Sequence, residues 1–219
     1  HTTGEDALTL TIVDDNTATT SNVAGNLVHI DDITSIQVDA TAIDAFYGLV
    51  ADGATLADDD VGGANETVNL KGDYTFLMDS NLGVSGIQAL TTQAEINNYD
   101  KIAANTTGVV TGSITSLSAA QIDGWLSADG DANALTITPT NVSTDVAKLS
   151  SLAGKTTVAI KSSGLTALTG TATDAATMVG LGESVVEKHA AAVYTLDDDA
   201  SSYATSAAEL IAINAATTA

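Results

Sequence analysis

Three carboxylates stand side by side twice in this chain, at Asp58, Asp59 and Asp60 and again at Asp197, Asp198 and Asp199. Adjacent carboxylates repel one another unless water or a cation screens them. Calcium, a hard cation, is held by several oxygens at once, and short acidic side chains on a loop can supply them. A third candidate is the loop "DGDAN", in which Asp129, Asp131 and Asn133 alternate as in the first half of an EF-hand loop. The glycine such a loop needs is replaced by Ala134 and the closing glutamate by Thr140, so it is not an EF-hand. Asp14–Asp15 and Asp31–Asp32 are shorter acidic pairs at the ends of apolar runs. The two triplets and the loop form the candidate metal site, with calcium as the expected structural cofactor.

Other chemistries find less support. There is no cysteine, hence no thiolate site and no disulfide. No Gly-x-Ser-x-Gly elbow occurs, and "GLGESVVEK" lacks the Gly-Lys-Ser/Thr ending of a phosphate loop. The histidines are His1, His29 and His189. An N-terminal histidine can chelate copper with a second one nearby, but nothing around these three supports that arrangement. Glu66, Glu183 and Glu187 have no partner motif, although a glycosidase pair of carboxylates is not removed by sequence alone. Asn65, Asn105 and Asn141 match the glycosylation tripeptide in a chain where Asn and Thr are common enough to produce it by chance. A non-enzyme is therefore expected.

The charge balance narrows the partners. Aspartate and glutamate number 28 against six basic residues, all lysine, for a net charge of -22. Such a surface repels the phosphates of nucleic acid and an anionic membrane face. No apolar run is long enough to cross a bilayer as a helix. With so few lysines, most carboxylates must face water, salt or a divalent ion. Hydrophobic content is 44% but aromatics are only 4%, so the core must be built from small and β-branched side chains.

The elements that would position these groups recur along the chain. Segments starting at Thr91, Ser116, Asn141, Leu168 and Tyr203 share a Thr- or Ser-led opening followed by apolar residues three apart, and Asp39 starts a looser copy. Helix starts are expected near Thr92, Ser118, Ser143, Thr171 and Ser206. Their hydroxyls can cap orphan N–H groups, and Glu95 and Glu209 stand at capping-box spacing. The buried faces are expected to be Ile96, Tyr99 and Ile102; Ile122 and Trp125; Val146, Leu149 and Leu152; and Leu210 and Ile213. Helices this short must lie on something. The Thr-, Val- and Ile-rich runs between them, such as "NALTITPT" and "TTVAIKSSGLTALTG", read as pairs of short strands separated by a bend.

The expected fold is therefore mainly β with short helices. Rungs of strand, bend, strand and short helix, about 25 to 30 residues each, would form a parallel β-solenoid-like stack. Residues 1–82 read as a β-rich N-terminal portion, with strands in "ALTLTIVDD", "NLVHIDD", "SIQVDA" and "ETVNLKGDYTFLMD" and a long acidic loop at "ADGATLADDDVGG". Residues 83–219 read as the repeat array, continuous with it. The strand near residues 7–13 could pair in its own sheet or with a neighbouring subunit, and the end at "AINAATTA" would leave an open edge.

The pattern from "TTQAEIN" through "TTGVVTGSITSLSAAQI" resembles repeats of large, acidic, secreted bacterial surface proteins of S-layer-like and calcium-dependent adhesin-like type. That resemblance implies an extracellular structural or adhesive role, often with bound calcium, and no catalytic residue. The Gly-Gly calcium nonapeptide of many such proteins is absent, since "GGANETVNL" carries Asn65 and Thr67 at the next key places. A chain beginning at His1 fits a processed secreted precursor. The expectation is a secreted structural subunit of a filament, tube or surface layer. It would assemble head-to-tail with copies of itself by strand pairing and be steadied by calcium. Alternatives are an adhesin segment contacting a cell or polysaccharide surface, and a carbohydrate-active enzyme on a β-solenoid.

Overall fold

Helices hold more of the described backbone than strands do. The computed structural model describes residues 10–11, 24–60, 67–79, 86–127, 133–140, 143–197 and 207–217. Among them are seven helices and thirteen strands, each strand only two to five residues long. Wherever the register between strands is defined the pairing is parallel, and a helix lies in the chain between the two partners. Parallel partners cannot be joined by a tight hairpin and need such a crossover.

The chain divides into two compact units, residues 1–88 with 97–112, and 89–96 with 113–219. In the first, β1 (Leu10–Thr11), β2 (Val38–Ala40) and β4 (Val68–Leu70) form one sheet. Next to these in sequence, β3 (Ala45–Gly48) pairs with β5 (Thr75–Met78), and β5 with Val110–Thr111 of β7 (Val110–Ile114). Alternation sends Phe46, Phe76, Met78 and Val110 inward, where the rings of Phe46 and Tyr74 meet edge to face at 5.4 Å. Helix α1 (Ala24–Ile33) packs on α2 (Val50–Asp59), and α2 lies against β3 and β4. Helix α3 (Gln93–Asn105) buries Tyr99 and Ile102 in this unit.

Gly53 of α2 and Gly108 before β7 are where backbone must come close. A Cβ on Gly53 would lie 2.5 Å from the Phe76 ring and 2.7 Å from Ile102 Cδ1. One on Gly108 would lie 2.1 Å from the Tyr74 carbonyl oxygen.

In the second unit, β6 (Ala89–Leu90) pairs with Ser113–Ile114 of β7, which also carries β8 (Ala134–Ile137). Strand β11 (Ala167–Gly170) lies between β9 (Ser143–Asp145) and β13 (Val193–Leu196), and β10 (Ile160–Lys161) pairs with β12 (Val186–Glu187). Helices α4 (Ala119–Trp125), α5 (Val146–Ala153), α6 (Ala172–Gly180) and α7 (Ala207–Ala216) pack one on the next. Their apolar stripes and the inward strand residues meet in a core of Leu, Ile, Val and Ala, including Ile122, Leu135, Leu149, Leu152, Ile160 and Val186.

The β-solenoid-like stack expected from the sequence is therefore not the fold, and filament and surface-layer descriptions fall with it. The strands make separate short parallel sheets interleaved with substantial helices, an alternating α/β arrangement. The reason is quantitative. Ile96, Tyr99, Ile102, Ile122 and Leu56 are helix residues among the largest fully buried side chains, and each removes about 1.5–3 kcal/mol worth of apolar surface from water. Strand residues such as Phe76, Met78, Ile114 and Leu135 bury as fully, so the core is shared between the helices and short strands rather than enclosed by strand rungs alone. Assembly by strand pairing between subunits also finds no footing, because Leu10 and Thr11 pair with Val38 and Asp39 of their own chain.

Two further expectations change in the N-terminal portion. "NLVHIDD" lies in helix α1, not in a strand, and much of the expected acidic loop is helix α2. The boundary expected between residues 82 and 83 lies outside the described residues.

Candidate functional site

Helices α1 and α2 each end in acid: Asp31 and Asp32 in the last turn of α1, Asp58 and Asp59 in that of α2, with no basic residue in either turn. A helix C-terminus already carries partial negative charge, so these carboxylates sit where they are least favoured. The Asp58–Asp60 triplet does not converge on one point. Asp58 Oδ2 pairs with Lys101 Nζ at 2.5 Å. Asp60 Oδ1 accepts the Leu70 N–H at 3.2 Å. Asp59 is left against its own kind: burial raises its carboxyl above the ordinary value, and the charges of Asp31, Asp58 and Asp32 raise it further. Thr67 ties the two helix ends together, donating its hydroxyl to Asp31 Oδ2 at 3.2 Å and its N–H to the Asp59 carbonyl at 3.4 Å.

The remaining candidates are less complete. Asn133 is buried, and its carbonyl accepts the Thr157 N–H at 2.9 Å and the hydroxyls of Thr156 and Thr157, so its backbone is a structural anchor. Asp129 and Asp131 lie outside the described residues. The Asp197 N–H donates to the Gly170 carbonyl at 3.1 Å, while Asp198 and Asp199 lie outside the described residues. Among the described residues no group of three or more His, Asp or Glu side chains is disposed to hold a metal ion.

The structure reveals a second set of charged groups that sequence spacing did not pick out. Each of the six lysines meets a carboxylate of its own chain: Lys71 with Asp44 and Asp73, Lys101 with Asp58, Lys148 and Lys155 with Asp123, Lys161 with Glu187, and Lys188 with Glu183. Asp123 is the densest of these centres. Its carboxylate takes Lys148 Nζ at 2.8 Å, the Ser151 hydroxyl at 2.5 Å and Lys155 Nζ at 3.4 Å. Lys155 also donates to the carbonyls of Asp123 and Leu126, at 2.7 and 2.6 Å, closing the C-terminal turn of α4. Burial alone would push the Asp123 carboxyl up. The hydrogen bonds from Lys148 and Ser151 and the charges of Lys155 and Lys148 outweigh it, holding the group below its ordinary 3.8. Lys188 repeats the device, donating to the Leu181 carbonyl that ends α6.

The other sequence candidates are placed as follows. His29 lies exposed on α1, and His189 Nδ1 accepts the Ala191 N–H at 3.1 Å, so that ring nitrogen is already occupied. His1 lies outside the described residues. The Asn105 amide is engaged on both sides: Oδ1 accepts the Tyr74 hydroxyl at 3.0 Å and Nδ2 donates to the Asp60 carbonyl at 3.2 Å. In the fold this amide serves as a structural link between α3, Tyr74 and the end of α2. Asn65 and Asn141 lie outside the described residues. No helix among the described residues is long and apolar enough to cross a membrane.

Comparison with protein-family models, with curated proteins and with solved structures finds no match to this chain. The resemblance to secreted S-layer-like and adhesin-like repeat proteins is thereby corrected: it rested on low-complexity Thr- and Ala-rich phrases, and the alternating α/β fold does not share that architecture.

Proposed function

We propose that this chain is a non-catalytic acidic module of the extracellular space whose fold is tightened by calcium drawn to its clustered carboxylates. The observation that carries this reading is the complete use of the lysines inside the fold. Six internal cations against 28 carboxylates leave a large negative surplus with no counterion of its own. That surplus is worst where α1 and α2 end, at Asp31, Asp32 and Asp59, with only Asp58 neutralised by Lys101. With no preformed ligand set among the described residues, a divalent cation would act there as a diffuse counterion, relieving carboxylate repulsion and the unfavourable helix dipoles. Binding is loose and charge-driven, suited to the roughly 0.1–1 mM affinities of extracellular calcium modules.

Thermal unfolding in calcium and in sodium chloride at equal ionic strength tests the reading. Calcium at about ten times its dissociation constant should contribute about 1.4 kcal/mol, a rise in Tm of about 3–6 °C beyond that in sodium. The double substitution Asp31→Asn with Asp59→Asn should remove most of that increment. Coincident melting curves in the two salts would overturn the proposal.

A further inference from the structure

We draw no further inference here: the strongest candidate, the exposed apolar side chains on the edge strand β13 and on helix α7 (Val193, Leu210 and Ile211), carries nothing because nothing in the structure shows what covers them.

Discussion

Asp123 and Asp59 are both aspartates near helix ends, yet their surroundings push them in opposite directions. Asp123 is held ionised by two lysines and a serine, so Asp123→Asn removes charge-assisted bonds and leaves Lys155, whose side chain is only 12% exposed, without its counter-charge. A loss of about 1.5–3 kcal/mol in urea denaturation at neutral pH is expected. Because the folded-state value is depressed, that stability is fully present above the ordinary 3.8 and disappears as pH falls through the lower folded value. The gap between wild type and Asp123→Asn should therefore close only in strong acid. Asp59 has the opposite sign. Its raised folded-state value means ionisation costs stability, and protonation restores it as pH falls through that value. Asp59→Asn should stabilise the protein at neutral pH by about 0.3–1 kcal/mol, and calorimetry should show the gain shrinking as pH falls through the raised Asp59 value. The two glycines make a size test. Alanine in a helix is favoured over glycine by about 1 kcal/mol, but at Gly53 it would push into the Phe76 ring. Overpacking costs about 1–3 kcal/mol, so Gly53→Ala should be destabilising on balance. Gly108→Ala should be worse, since a backbone carbonyl cannot move aside as a side chain can. A Gly53→Ala protein melting above wild type would show that the α2–Phe76 contact is looser than described.

At the scale of elements, hydroxyl caps decide where helices begin. Ser118 and Gln121 close a complete capping box on α4: the Ser118 Oγ accepts the Gln121 N–H, and Gln121 Oε1 accepts the Ser118 N–H. Thr92 and Glu95 do the same ahead of α3, and the Thr171 hydroxyl caps α6. Ser118→Ala should cost about 1 kcal/mol, read as a lower urea midpoint with an unchanged slope. These starts were legible because the cap is a local event involving residues three apart. The start expected at Ser143 was not correct. Strand pairing with Ala167 takes Ser143 into β9, and Asp145 caps α5 instead, its carboxylate accepting the Ala147 N–H. Helix α1 was missed for a related reason. "NLVHIDD" alternates well enough to read as a strand, and only its packing on α2 and β3 decides for a helix. At the other end of the chain, α7 keeps Ile213 buried but leaves Leu210 46% exposed, so spacing alone overstated its buried face.

For the whole molecule, charge dominates. Twenty-eight carboxylates repel across the surface, and any added cation lowers that cost. Raising sodium chloride from low to physiological strength should itself raise Tm, since it largely screens repulsion between exposed charges more than about 8–10 Å apart. The calcium increment is then measured above that baseline. By itself, the sequence determined the acidic balance, the absence of thiol chemistry, the caps of α3, α4 and α6 and the apolar faces of α3 and α5, because each depends on composition or on neighbours a few residues apart; on α4 Ile122 is buried as expected but Trp125 is only half-buried. Only the tertiary structure decided that the strands stay in short separate sheets, that Lys148 and Lys155 meet on Asp123, and that Asp31 and Asp32 come close enough to act on Asp59. Those outcomes depend on which helix packs against which. Residues far apart in the chain are brought together by burial of apolar surface, which has no direction and leaves no spacing to read.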